Sequence, residues 1–109
     1  MKPNKTNSDE HNAIHNIDKI IHEPARLIIM AHLFVVESAD FHFLQRQTGL
    51  TWGNISSHMR KLENAGYVSV EKEFIDKKPH TTLKLTANGR AAFLEYRKNM
   101  KQVFEDIPE

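Results

Sequence analysis

The chain has no cysteine among its 109 residues. That absence excludes a disulfide framework, a thiol nucleophile and the thiolate metal sites used by many small regulators. It also lacks a long apolar run. The stretch from Leu27 to Val36 is interrupted by His32 and falls far short of the roughly 20 residues a membrane span needs. Met1 to Glu10 is polar and no apolar stretch follows a basic start, so no signal peptide is read and a cytoplasmic location is expected. No G-x-S-x-G, Walker or dinucleotide-binding pattern is present, which leaves an enzymatic reading without residues. The most informative absence is local: between Phe41 and Leu62 there is no Asp or Glu, although Arg46, Arg60, Lys61 and two histidines lie there. The overall balance of 15 basic against 14 acidic side chains therefore hides an uneven distribution. That segment is the candidate anion-facing surface.

The length allows one domain with one core. Residues 1–10 carry no apolar periodicity and are expected to be a flexible tail, with the folded domain over 11–109. From His11 to His22 the apolar positions Ile14, Ile17, Ile20 and Ile21 recur at helical spacing, which predicts a short amphipathic helix over 11–22. Pro24 opens a second, buried helix that runs to Val36. A break over Glu37 to Asp40 leads into a polar helix with Leu44 on its inner face, stopped at Thr48-Gly49 where glycine takes a left-handed cap. Thr51 is a good N-cap for the next helix, which is predicted to end at Ala65 with Gly66 as its stop. Alternating residues then predict two strands about a basic tip at Ile75 to Pro79, with Val68 and Val70 on the first and Leu83 and Leu85 on the second. Thr86 caps a last helix, and the order closes as helix, helix, helix, helix, strand, wing, strand, helix.

On a helical wheel Ile55, Met59 and Leu62 fall in one narrow sector, while Gly53, Asn54, Ser57, Arg60 and Lys61 lie on the other side. A face that is small near its start and basic near its end suits a helix whose first turns enter a major groove about 12 Å wide while later cations reach phosphates. Asn54 can pair with adenine, Arg60 with guanine or phosphate, and Ser57 with either; Lys61 is assigned to phosphate. Thr51 and the free amides of the first turn can also hold phosphate. Trp52 either contacts a thymine methyl or sugar, or packs against its own domain. The hairpin tip, Asp76-Lys77-Lys78-Pro79-His80, stands where it reaches the backbone or minor groove beside that helix. The candidate DNA-contacting residues are thus Thr51, Trp52, Gly53, Asn54, Ser56, Ser57, His58, Arg60, Lys61, Lys77, Lys78 and His80.

From Ile17 to Phe104 the chain resembles the winged-helix transcriptional regulators of the MarR and ArsR types, and most of all their compact bacterial and archaeal subfamily. The resemblance is carried by LTWGNISSHMRKLENAGY at Leu50 to Tyr67 and by the Leu-Thr-x-x-Gly-Arg pattern at Leu85 to Arg90. Trp52 departs from it, because a smaller polar or acidic residue is usual there. The resemblance implies a mainly α fold with a small β-hairpin (α+β), a winged helix-turn-helix. It further implies double-stranded DNA as the ligand, a basic wing at Lys77 and Lys78, and dimerisation through terminal helices.

The last helix repeats Phe93, Tyr96, Met100, Val103 and Ile107 at helical spacing, with Phe104 beside them. About twenty residues of helix extend some 30 Å, more than a domain this small covers by itself, so a homodimer seam is expected over 87–107. Ile14, Ile17 and Ile21 are expected in the same seam, which would set two recognition helices about 34 Å apart. Seven histidines raise the question of a metal, and His11 with His15 has the i, i+4 spacing of a helical pair. Two ligands do not make a site, so neither a metal nor a cofactor is assigned. Glu71 and Glu73 share a strand face with no pocket-forming sequence around them and are read as solvated. Two alternatives to a DNA-binding regulator stay open. One is a winged-helix module for protein association with no DNA role; the other is a regulator that responds to a metal or to a small-molecule effector.

Overall fold

The computed structural model describes residues 14–108. Its elements are α1 (Pro24–Val36), β1 (Ser38–Asp40), α2 (Phe41–Thr48), α3 (Trp52–Asn64), β2 (Val68–Ile75), β3 (Lys78–Leu85) and α4 (Ala87–Glu105). Each of these helices opens on a side chain that accepts an otherwise orphaned backbone N–H. Glu23 accepts from Arg26 at 2.8 Å, and Asp40 accepts from Phe43 at 2.8 Å. Thr51 accepts from Asn54 at 3.1 Å and Thr86 from Gly89 at 2.9 Å. Caps of this kind contribute about 1 kcal/mol each. Burial works to raise the Glu23 carboxyl, but the Arg26 N–H and the nearby Arg26 guanidinium outweigh it and hold the group below its ordinary value.

Between the caps, apolar side chains recur at helical spacing and build one core. Ile29, Met30 and Leu33 of α1, Leu44 of α2, Ile55 and Leu62 of α3, and Leu83 of β3 are fully buried. Helix α1 lies at the centre and touches α2, α3, α4, β1 and β3. The sheet is antiparallel with strand order β1-β3-β2. Its inner face is set by Val68 opposite Leu85 and Val70 opposite Leu83. Among the described residues no helix is long and apolar enough to cross a membrane.

Four expectations need correction. The helix expected over 11–22 is helical only at Ile14 and His15 among its described residues, and the chain turns from Asn16 to Glu23. Asp18 is the cause: its carboxylate accepts the N–H groups of Ile20 at 2.8 Å and Ile21 at 3.1 Å, a local turn that outcompetes the helix. The segment expected as a plain break contains a strand, β1, whose Ser38, Ala39 and Asp40 pair with Lys84, Leu83 and Thr82. The basic tip shrinks to Asp76 and Lys77, at φ 52° and 66°, because Lys78, Pro79 and His80 already belong to β3. Two left-handed central residues make a hairpin turn whose twist matches the strands, at a cost of about 1 kcal/mol for each residue that is not glycine.

The fourth correction concerns the dimer seam. Ile21 and Tyr96 are 0% and 5% exposed in the single chain, so they belong to its own core. Tyr96 also meets the His22 ring at 2.9 Å through its hydroxyl, and Phe93 packs against Phe34 with ring centres 5.1 Å apart. Tyr67 fixes the same region from the other side by donating its hydroxyl to Asp18. Burial, then that carboxylate, pushes the Tyr67 phenol up to about 12, so it stays a neutral donor.

Candidate nucleic-acid interface

The functional surface starts from a geometric constraint on α2 and α3. Gly49 ends α2 at φ 74°, and only two residues, Leu50 and Thr51, separate it from the start of α3. Buried Leu44, Ile55, Met59 and Leu62 turn the two helices inward on one side. The opposite side of α3 is therefore committed to solvent. Thr51, Trp52, Gly53, Asn54, Ser57, Arg60 and Lys61 are all exposed, with Ser56 half-buried at the margin. Arg46 at the end of α2 is exposed too, and no carboxylate interrupts this surface between Phe41 and Leu62. Lys77 and Lys78 stand exposed at the end of the hairpin, and His80 is half-buried.

His58 separates from the rest of that set. Its side chain turns toward α1, where Arg26 donates from Nη1 to His58 Nδ1 at 3.1 Å and Glu23 Oε1 lies 3.7 Å away. Arg26 is itself buried and donates from Nε to the Ile20 carbonyl at 2.6 Å. Arginine has no acceptor, so Nδ1 of His58 is the acceptor in this bond and the ring proton sits on Nε2. The imidazole thus positions α3 against α1, facing away from the outer surface.

Of the two roles left open for it, Trp52 takes the packing one, and part of its ring stays in solvent. Its ring centre lies 5.5 Å from Phe41 and 5.0 Å from His42, the latter edge-on at 87°, yet 44% of the residue remains exposed. Phe41, His42 and Trp52 line a cleft of about 440 Å³ together with Asp40 and with Pro79, His80 and Thr81 of β3. The start of α3 and the hairpin are joined there into one continuous surface. Phe41 and His42 were missed as members of it. Their signal was their place in the segment without acids; the three-stranded pairing that brings β3 alongside was not visible.

Gly53 stands open on this surface. A side chain at that position would meet nothing within 4 Å, and its backbone is not left-handed. Neither internal packing nor strain calls for glycine, although glycine weakens a helix by up to about 1 kcal/mol relative to alanine. His11 lies outside the described residues, and among the described residues no group of three or more His, Asp or Glu side chains converges on a metal site.

Comparison with known proteins agrees with this arrangement. An uncharacterized protein of Methanocaldococcus jannaschii is 35% identical over 89 residues, which is 82% of this chain and 97% of that protein. Among solved structures, a transcriptional regulator homologue from Pyrococcus horikoshii aligns with a TM-score of 0.80 at 32% identity, covering 88% of this chain and 99% of the other. Reduced AbfR bound to DNA is similar in fold, with a TM-score of 0.59 at 15% identity over 98% of this chain and 80% of that one. Residues 25–104 match the winged helix DNA-binding domain, from the first turn of α1 to the last turn of α4, and the chain belongs to that family.

Proposed function

We propose that the chain is a cytoplasmic transcriptional regulator that binds double-stranded DNA as a homodimer. Helix α3 enters the major groove, and the wing formed by β2, β3 and their turn lies on the backbone and minor groove. The observation that carries this reading is the outer face of α3, where Asn54, Ser57, Arg60 and Lys61 are exposed on a surface with no carboxylate from Phe41 to Leu62. Asn54 and Arg60 have the donor geometry for base edges, and Lys61, Lys77 and Lys78 supply phosphate contacts.

The dimer is supported by what remains uncovered after the core is complete. Ile14, Phe104 and Ile107 are 58%, 65% and 57% exposed, and Ile17, Met100 and Val103 are half-buried around a hollow beside them. Helix α4 has 19 residues, about 28 Å of length, and only part of it reaches the domain's own core. A second copy covers such a seam and gives two recognition helices for two half-sites.

Selection of bound sequences from a random duplex pool is expected to return a near-palindrome with half-sites about one helical turn apart. Affinity should fall steeply as salt rises. Asn54→Ala and Arg60→Ala should each weaken specific binding by about 1 to 3 kcal/mol, whereas Lys77→Ala should weaken all sequences alike and reduce the salt slope by about one. Binding that ignores salt, or none at low salt, would overturn the reading. Gly53→Ala should split two observables in opposite directions. Stability, read by thermal unfolding, should rise by about 0.5 kcal/mol because the helix gains a better former. DNA affinity should fall because the added methyl occupies space the duplex needs. If both rise together, α3 does not approach DNA at its first turn.

A further inference from the structure

Strand alternation divides the hairpin into two chemically distinct faces. The register places Val68, Val70, Lys72 and Phe74 on one face, opposite Leu85, Leu83, Thr81 and Pro79. Val68 and Leu83 are buried, so this is the face that covers the core. Toward the turn the same face runs past the core: Phe74 is 77% exposed, beside Pro79, and Lys72 is exposed as well. Glu71, Glu73 and Ile75 lie on the other face, opposite Thr82, His80 and Lys78. An exposed aromatic ring is therefore held on a short, tight hairpin end, with Lys72 on its own face, Lys77 at the turn and Lys78 on the opposite face. The two strand carboxylates point the other way.

Resting on the DNA-binding reading above, we infer that Phe74 is an apolar wedge that enters the minor groove beside the segment contacted by α3 and bends the duplex there. Two observations select DNA as the occupant over an apolar protein surface. The first is charge: Lys72 shares the ring's face and Lys77 stands at the adjoining turn, where Asp76 is the one carboxylate, while Glu71 and Glu73 lie on the other face; this matches a groove walled by phosphates and is costly to bury against a neutral protein patch. The second is continuity. Pro79 and Thr81, the residues next to Phe74 and Lys72 across the pairing, also line the cleft that contains Trp52 at the start of α3. DNA seated on α3 meets that strip next. An apolar side chain pressed into a minor groove unstacks a base step and kinks the helix, and the contact area gained offsets the unstacking.

The test uses the full chain and a duplex carrying its selected site, with 2-aminopurine in the flank under the wing and a donor–acceptor dye pair at the ends. Wild type should raise the 2-aminopurine emission and shorten the dye separation. Phe74→Ala should lose most of both signals and about tenfold or more in affinity, from the aromatic surface no longer buried. Phe74→Leu should restore part of each signal, and Lys77→Ala should weaken binding while leaving the bend intact. The ring is exposed, so thermal unfolding of Phe74→Ala should match wild type. If wild type binds DNA but Phe74→Ala keeps its affinity, bend and emission, the wedge is wrong and the DNA-binding reading stands. Unchanged DNA behaviour with lost self-association in sedimentation would assign Phe74 to a protein contact and likewise overturn it. No DNA binding by wild type removes both.

Discussion

Gly89→Ala is expected to destabilise the protein by about 3 to 5 kcal/mol, near the upper end for a single added methyl. A side chain at Gly89 would place its Cβ 2.0 Å from the Tyr67 carbonyl oxygen and 2.9 Å from Leu85 Cδ1. The first of these neighbours is backbone and cannot turn aside. It is also committed, because that carbonyl accepts the Thr86 N–H at 3.1 Å, while the Thr86 hydroxyl donates to the Gly66 carbonyl at 2.7 Å and accepts from Gly89 itself. Relief of the clash must pull α4 off the end of β2 and break that junction. Thermal unfolding followed by circular dichroism should show Tm lowered by roughly 15 °C or more. A shift of only a few degrees would mean that α4 stands further from Tyr67 than its described position.

Ser57→Glu is expected to reduce DNA affinity by about 100-fold or more while leaving the fold intact. Ser57 is exposed at the middle of the outer face of α3, and glutamate is the better helix former there. The new carboxylate would sit one helical turn before Arg60 and Lys61, pairing with the cations proposed to meet phosphate and facing phosphate itself. Like-charge juxtaposition in an interface costs several kcal/mol. Ser57→Ala, which removes one hydrogen-bonding group and adds no charge, should cost far less. Fluorescence anisotropy at fixed salt distinguishes the two, and equal affinities for Ser57→Glu and wild type would remove α3 from the groove.

The helical elements from Pro24 onward were legible in the sequence because their signals are local. Pro24, Thr51 and Thr86 announce helix starts, Gly49 announces a stop, and the two long strands alternate plainly. What failed was set by distant partners. Ser38–Asp40 has no strand-like pattern of its own and becomes a strand only because Thr82 to Lys84 lies beside it. The isoleucine spacing over Ile14 to Ile21 fits a helix, but it is equally consistent with turns whose side chains reach the same core, and Asp18 decides between them. The stripe on α4 reads as one seam in the sequence, whereas His22 and Phe34 claim its first half for the chain's own core. At the candidate site, the exposed face of α3 followed from periodicity, while the inward turn of His58 depended on a buried arginine more than thirty residues earlier. The glycine of Leu85 to Arg90 could be recognised as a pattern, but its reason, the Tyr67 carbonyl at the start of the neighbouring strand, appears only in three dimensions.

Arg26 makes the pose of α3 depend on where the chain runs before α1. One guanidinium holds the Ile20 carbonyl on one side and His58, midway along α3, on the other. Whatever draws Ile20 aside must either break the first bond or carry the arginine, and with it the imidazole, along. Thermodynamic linkage then works in both directions: a partner protomer or ligand that holds the Ile14 to Ile20 segment more tightly when α3 is in its DNA-bound pose strengthens DNA binding by the factor by which DNA strengthens its own hold. A tenfold coupling needs about 1.4 kcal/mol, no more than one charge-assisted hydrogen bond contributes. If α3 docks on DNA as proposed, its affinity responds to the segment leading into α1 without a change in any residue of its outer face.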